Sequence, residues 1–460
     1  MRIPILFTAF LGSMFARSQD KLVPYPSVTA AFPLLWRAET GAGSFRTNVV
    51  LNGSNLIMGS NGSQFMDYYL LDEGAGVYVL DRINGKKLHH IASENIGDMD
   101  VNGVLQYNGK LYFGNDNEEF ICSTPDGQIL WRNPASGDIE HEPVLLNIKG
   151  RPAIVYATES GEVKAVDAQM GKMIWSYYTP DFTGWKPGDN RTIFKVKAYF
   201  SNSHSFFTKP YLFDLDIDGV MDLLYITYDN KVYSISGATG KCLWMKDWEN
   251  SLGYAINVHR SVSGPVILLL SSKWDSNESQ SRYTLSFLDR SGNIKKQIPV
   301  PGSWGEGLNM LDIGRQTSAV LLHDALLLVH TDGSVDHIDR RDVYEAKRYD
   351  GTTYLENRHT SSSLLSNRVF QFGEYGRCVL VRNQYDRIAD DRGTIEIISL
   401  DKKKVVHRYT LPCGGEMIPF IEDVNRDGYL DLLINGYDGY TYCFNMKIPF
   451  ESRYTALTKK

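Results

Sequence analysis

The sequence predicts an all-β chain: a single β-propeller of eight four-stranded blades, with seven as the alternative count, closed by its own amino-terminal strand. Three observations predict it. A strand–turn–strand hairpin recurs along the 460 residues. The recurrences are mostly 43 to 69 residues apart, the length that a four-stranded blade and its loops require. Long helices with apolar residues at three-to-four spacing are absent beyond the amino-terminal segment.

The hairpins justify the blades one by one. AVDAQMGKMIW (Ala165 to Trp175) reads as strand, tight turn, strand: Asp167 starts the turn, Gly171 tolerates positive φ, and Trp175 lies in the next strand. SISGATGKCLW repeats it with Gly240 and Trp244, and CSTPDGQILW with Asp126, Gly127 and Trp131. VLDRINGKKLHH, around Asn84 and Gly85, is a weaker copy. Looser ones begin at Ser286, Asp332 and Gly393. The last, DGYTYCFNM (Asp438 to Met446), lacks its outer strand, which PLLWRAETG from Pro33 can supply. Trp36 then falls where Trp131, Trp175 and Trp244 fall, and its strand should join the blade of Tyr440 to Phe444. Such a closing strand removes the free edge of the ring. The four tryptophans are read as structural, packing between adjacent blades. The propeller thus occupies 33–446 and the tail 447–460, with no inter-domain linker. Thr179 to Asn202 reads as a loop decorating one face, and Ser271 to Arg282 as a polar loop.

Charged residues make up 22% and hydrophobic residues 43%, which fits a folded chain, and the net charge of −6 argues against a nucleic-acid partner. Arg2 followed by the uncharged run Ile3 to Ala16 reads as a signal peptide over 1–19. No later segment has the 18 apolar residues of a membrane span, so the expected product is exported: secreted, periplasmic or at the cell surface. Five cysteines are sparse and odd in number, so the core must hold the fold. Sequons begin at Asn52, Asn61, Asn190 and Asn277 and matter only in a eukaryotic source.

Two acidic segments carry the clearest chemistry. DLDIDGVMD places Asp214, Asp216, Asp218 and Asp222 at positions 1, 3, 5 and 9, with Gly219 at position 6. DVNRDGYLD places Asp423, Asn425, Asp427 and Asp431 in the same way, with Gly428 at position 6. Each runs into an apolar strand. Alternate side chains over a tight loop converge on one point, and hard oxygen ligands at that density suit Ca2+ better than Mg2+. Two calcium sites are expected. DMDVNGVLQ keeps Asp98, Asp100 and Asn102 but ends in Gln106, a weak or lost third site. LNIKGRPAIVY (Leu146 to Tyr156), with Lys149 and Ala153 in ligand places, should be metal-free.

The hairpin AVDAQMGKMIW resembles the tryptophan-docking repeat of quinoprotein-like eight-bladed propellers. The loops at Asp214 and Asp423 resemble the calcium loops of FG-GAP (VCBS-type) propellers. Together these resemblances cover residues 33–446. They imply a scaffold before an activity. Quinoprotein dehydrogenases use pyrroloquinoline quinone, a calcium, a catalytic Asp and often a disulfide between adjacent cysteines, and this chain has no adjacent cysteines. Non-enzymatic relatives include a bacterial outer-membrane assembly factor. The function expected is therefore a calcium-stabilised scaffold binding a protein or a glycan. The alternative is a propeller enzyme, either a lyase or hydrolase acting on polysaccharide or a quinoprotein-type oxidoreductase. The ten histidines show no metal-ligand spacing, and GSWGEG (Gly302 to Gly307) lacks the Lys of a phosphate loop. Trp185, His204, Lys209 and Trp304 are candidate face residues. The discriminating feature is the central channel: acids, His and Arg gathered from several blades favour the enzyme, and small apolar residues disfavour it.

Overall fold

The computed structural model describes residues 32–62, 74–92, 100–184, 186, 206, 208–227, 231–248, 252–261, 264–275, 280–300, 306–307, 310–314, 316–322, 324–340, 343–347, 353–357, 360–385 and 393–451. The proposed signal segment, Asp98, Trp185, His204, Trp304 and the sequons at Asn190 and Asn277 lie outside them.

Short runs of mostly apolar residues, cut by glycine turns, give strands that pair antiparallel with their chain neighbours, and the middle strands are buried on both faces. The strands assemble into eight blades, each of four principal strands, a (innermost) to d. Blade 1 spans 49–91, blade 2 104–134, blade 3 144–178, blade 4 211–247, blade 5 252–300, blade 6 310–339 and blade 7 360–410. Blade 8 takes strands a to c from Phe420–Glu422, Tyr429–Asn435 and Tyr440–Pro449, and strand d from Leu34–Glu39. Trp36 pairs with Cys443 in that sheet, so the amino-terminal strand closes the ring as the sequence predicts. A separate hairpin, Val343–Lys347 with Thr353–Asn357, sits between blades 6 and 7 in the chain.

One sequence expectation is corrected in blade 5. Residues 271–275 and 280–282 are strand rather than loop: Gly264–Asp275 pairs with Gln280–Leu288, with Ser271 opposite Thr284 and Asp275 opposite Gln280. Polar residues on both faces hid the alternation, while ladder pairing satisfies the backbone regardless of side-chain polarity.

Packing between blades holds the ring. Eight apolar clusters are present among the described residues, and each joins two consecutive blades. One of them, with Trp36, Leu433 and Cys443 against Leu56, Met58 and Leu80, joins blade 8 to blade 1. Each tryptophan lies flat against the c–d turn glycine of the next blade. A Cβ on Gly85, Gly171, Gly240 or Gly292 would stand 2.5 to 2.8 Å from the indole of Trp36, Trp131, Trp175 or Trp244 respectively. These four turns therefore need glycine for space as well as for positive φ. The indole N–H of Trp175 donates to the Gly237 carbonyl (2.9 Å) and that of Trp244 to Arg290 (2.8 Å). In blade 5 the same register position holds Lys296, whose ammonium donates to Gly333 O at 3.1 Å.

Candidate functional site

Antiparallel order puts the a–b and c–d turns on one face of the ring, here the turn face. The b–c turns and the d–a links lie on the opposite, link face. Both acidic segments are a–b turns, in blades 4 and 8, so they share the turn face.

The two turns have the same backbone. Ile217 and Arg426, at position 4, have φ of 64° and 62°; Gly219 and Gly428, at position 6, have 87° and 85°. In the first, the amides of Leu215 and Asp216 donate to Asp222 Oδ2 (2.7 and 3.2 Å), and that of Gly219 to Asp214 Oδ2 (3.2 Å). In the second, Val424 and Asn425 donate to Asp431 Oδ2 (2.9 and 3.1 Å), and Gly428 to Asp423 Oδ2 (3.2 Å). Position 9 is thus fully buried in both and latches the turn. Burial raises the carboxyl of Asp222 to a pKa of about 6 and that of Asp431 to about 7, against amide donors that pull them down.

Oxygens of Asp214, Asp216 and Asp218 approach within 4.8 Å of one another. Asp214 Oδ1 and Asp431 Oδ1 are buried atoms with no hydrogen-bond partner. Like-charged oxygens held that close, one of them unsatisfied, fit the donor set of a hard divalent cation. In the second turn the Asn425 and Asn445 amides both donate to Asp427 Oδ2 (3.1 and 3.0 Å).

The third acidic segment is not equivalent to these. Residues 100–103 lie in the d–a link into blade 2, on the link face, and the a–b turn of that blade is Tyr107–Lys110. Asn102 is buried, accepts from Ser44 Oγ (2.6 Å) and donates to Glu140 Oε2 (2.9 Å), while Glu140 ion-pairs with Arg46. The resemblance in spacing is local to the sequence; strand a begins only after this segment. Leu146–Tyr156 does carry its a–b turn in the place expected, at Lys149 and Gly150.

The central channel is a cavity of about 1140 Å3 bordered by residues of seven blades and by the links on either side of blade 3. Its walls include Val50, Leu51, Leu105, Ile256, Met310 and Phe420. At the link-face mouth Lys209 reaches Glu142 and Arg46 reaches Glu140. His141 is buried there: its Nδ1 lies 2.8 Å from Glu142 O, and burial lowers its pKa to about 4. At the turn-face mouth Arg368 pairs with Glu422 (3.0 Å), beside Arg82, Arg426 and Phe450. Of the candidate face residues, Lys209 lines the channel. The sequence did not single out Arg46, Arg82, His141, Glu142, Arg368 or Arg426 as a site, because they lie in five separate links and turns and no spacing connects those segments. All five cysteines are free, and Cys122, Cys378, Cys413 and Cys443 are buried.

A family model described as outer membrane protein assembly factor BamB matches residues 73–184, from strand c of blade 1 through blade 3. No curated protein matches the chain. Solved structures of similar fold include Saccharomyces cerevisiae Sqt1, at 9% identity over 92% of this chain and 100% of that one (TM-score 0.56). The Dos1 propeller is 11% identical over 91% and 96% (TM-score 0.55). Quinohemoprotein alcohol dehydrogenase from Comamonas testosteroni is 12% identical over 91% and 77% (TM-score 0.52). At these identities the likeness is one of fold. Among the described residues no helix is long and apolar enough to cross a membrane.

Proposed function

We propose that this protein is an exported binding scaffold: a PQQ-like propeller whose turn face is stapled by calcium in the Asp214 and Asp423 loops, FG-GAP fashion, and whose channel face receives a protein or glycan. The observation that carries this reading is the state of the channel's charged groups. Glu142 is engaged by Lys209 and Glu422 by Arg368, while His141 is held neutral with Nδ1 against a backbone carbonyl. Groups paired in this way shape and rim a binding surface. A general acid or base needs instead a proton-accepting atom open to the substrate and a pKa near the working pH. The BamB-type match over residues 73–184 supports the scaffold reading, since that family is described as an assembly factor.

Calcium would be held by Asp214, Asp216 and Asp218 in blade 4 and by Asp423, Asn425 and Asp427 in blade 8, with the position-9 aspartates adjoining. It would neutralise the clustered carboxylates and fix the turn. The oxidoreductase alternative rests on fold alone, and the channel-mouth carboxylates Glu142 and Glu422 are already paired to cations. The test is capture from the native envelope or matrix with immobilised full chain, beside a glycan array and an alcohol-oxidation assay with added pyrroloquinoline quinone. A saturable protein or glycan ligand with no turnover is expected. Quinone-dependent turnover, or cleavage of an arrayed glycan, would overturn the reading.

A further inference from the structure

Arg82 and Arg426 come from opposite ends of the chain and meet where blade 1 touches the Asp423 turn. Arg82 donates Nη2 to Asp423 O (2.6 Å), Nε to Val424 O and Nη1 to Gly53 O (3.3 Å). Arg426 donates Nη2 to the same Gly53 O at 2.8 Å. Two guanidinium groups therefore converge on one neutral oxygen. All the acceptors are carbonyls, and among the described residues neither arginine has a carboxylate within ion-pair distance.

The acids nearby are engaged elsewhere. Glu422 pairs with Arg368, Asp423 accepts the amides of Asp427 and Gly428, and Asp431 accepts those of Val424 and Asn425. Arg82 has three of its five N–H groups committed and Arg426 one, which leaves N–H donors on both. Both side chains border the channel, whose adjoining wall carries Val50, Leu51, Phe420 and Phe450.

We propose that Arg82 and Arg426 form an oxyanion site at the turn-face mouth, taking an amphipathic small molecule whose carboxylate or phosphate head lies between the guanidinium groups and whose apolar body runs into the channel. The cavity, about 1140 Å3, has the capacity for such a body. Planar guanidinium donors suit either head group, and an anion placed there would also relieve the repulsion between the two cations. The site stands whether the ring binds a macromolecule or not, so its failure leaves the scaffold reading untouched.

Calorimetric titration of the full chain with decanoate, decyl phosphate, decanol and inorganic phosphate tests it, and the first two separate the carboxylate from the phosphate source. At least one of the acidic decyl ligands should bind, weakening as salt rises, and decanol should bind at least about tenfold more weakly. R426E, at an exposed position, should weaken the acidic ligand by about tenfold or more, and R82Q should do so independently. Unchanged melting of R426E shows that the loss is not one of folding. Decanol binding as tightly as the acids, equal binding by R426E, or no binding by either acidic decyl ligand would each overturn the proposal.

Discussion

The turns at Asp214 and Asp423 have the same backbone and the same latch, yet they sit in blades built differently, and that difference reaches one oxygen atom. Blade 4 is continuous in sequence, so it has a c–d turn. The amide of Gly237 in that turn donates to Asp222 Oδ1 (3.1 Å), and the Gly237 carbonyl accepts the indole of Trp175. A chain of contacts thus joins the acidic turn to the docking of blade 3 on blade 4. Blade 8 borrows its outer strand from the amino terminus and has no c–d turn. The counterpart atom, Asp431 Oδ1, is buried without a partner. Ring closure solves the edge problem and leaves an unsatisfied carboxylate oxygen as its local cost, consistent with the higher pKa of Asp431.

Asparagine exchange is the sharpest way to break this comparison. D222N forces either an NH2 group against donor amides or a loss of their acceptor, and should cost about 3 to 4 kcal/mol. D431N can turn its NH2 to the unpartnered side and should stay within about 1 kcal/mol of the parent. Urea unfolding in chelator measures both. Equal losses would mean that the missing c–d turn is energetically irrelevant.

Acid must be controlled in any such experiment, because burial raises the position-9 carboxyls to about 6 and about 7 and His141 titrates as well. His141 has its folded pKa depressed to about 4 from an ordinary 6.5. The unfolded chain therefore binds the extra proton first. Stability from this group is complete above about pH 6.5 and is lost as pH falls towards 4, by about 3 kcal/mol in all. H141Q should flatten that limb of the pH–stability curve; an unchanged slope would remove His141 as its source.

Calcium separates the turns by composition. The first gathers three carboxylates, whereas the second answers Asp427 with two amide groups. At a hundredfold excess over its dissociation constant, an ion binding only the folded state stabilises by about 2.7 kcal/mol. Most of the calcium-dependent rise in melting temperature should disappear in D216A and a smaller part in D427A. The reverse order would show that charge count does not set the affinity.

Much of this was legible in the sequence and some was not, for physical reasons. The docking hairpins showed because glycine is forced where an indole lies on a turn, as at Gly240 under Trp175. The closing strand showed because Trp36 keeps the register of the other outer strands. Both acidic turns showed because alternating carboxylates and a position-6 glycine are local requirements. The segment at Asp100 misled, because spacing carries no information about whether strand a precedes or follows it. The channel was illegible: Arg46, His141, Arg82 and Arg426 become neighbours of a common cavity only after the ring has closed.

The smallest expected effect is also the most specific. Asn425 differs from its counterpart Asp216 by an amide, and Nδ2 of that amide lies 3.1 Å from Asp427 Oδ2. N425D replaces a donor with a third carboxylate and gives the second turn the donor set of the first. Repulsion then rises in the metal-free protein, while a bound cation gains a charged ligand. Calcium affinity at the second site should increase by about tenfold, or about 1.4 kcal/mol, as the melting temperature in chelator falls. Titration of N425D in a D216A background isolates the site. If affinity there stays unchanged while metal-free stability drops, Asn425 is a structural partner of Asp427 and the second turn does not hold its ion through position 3.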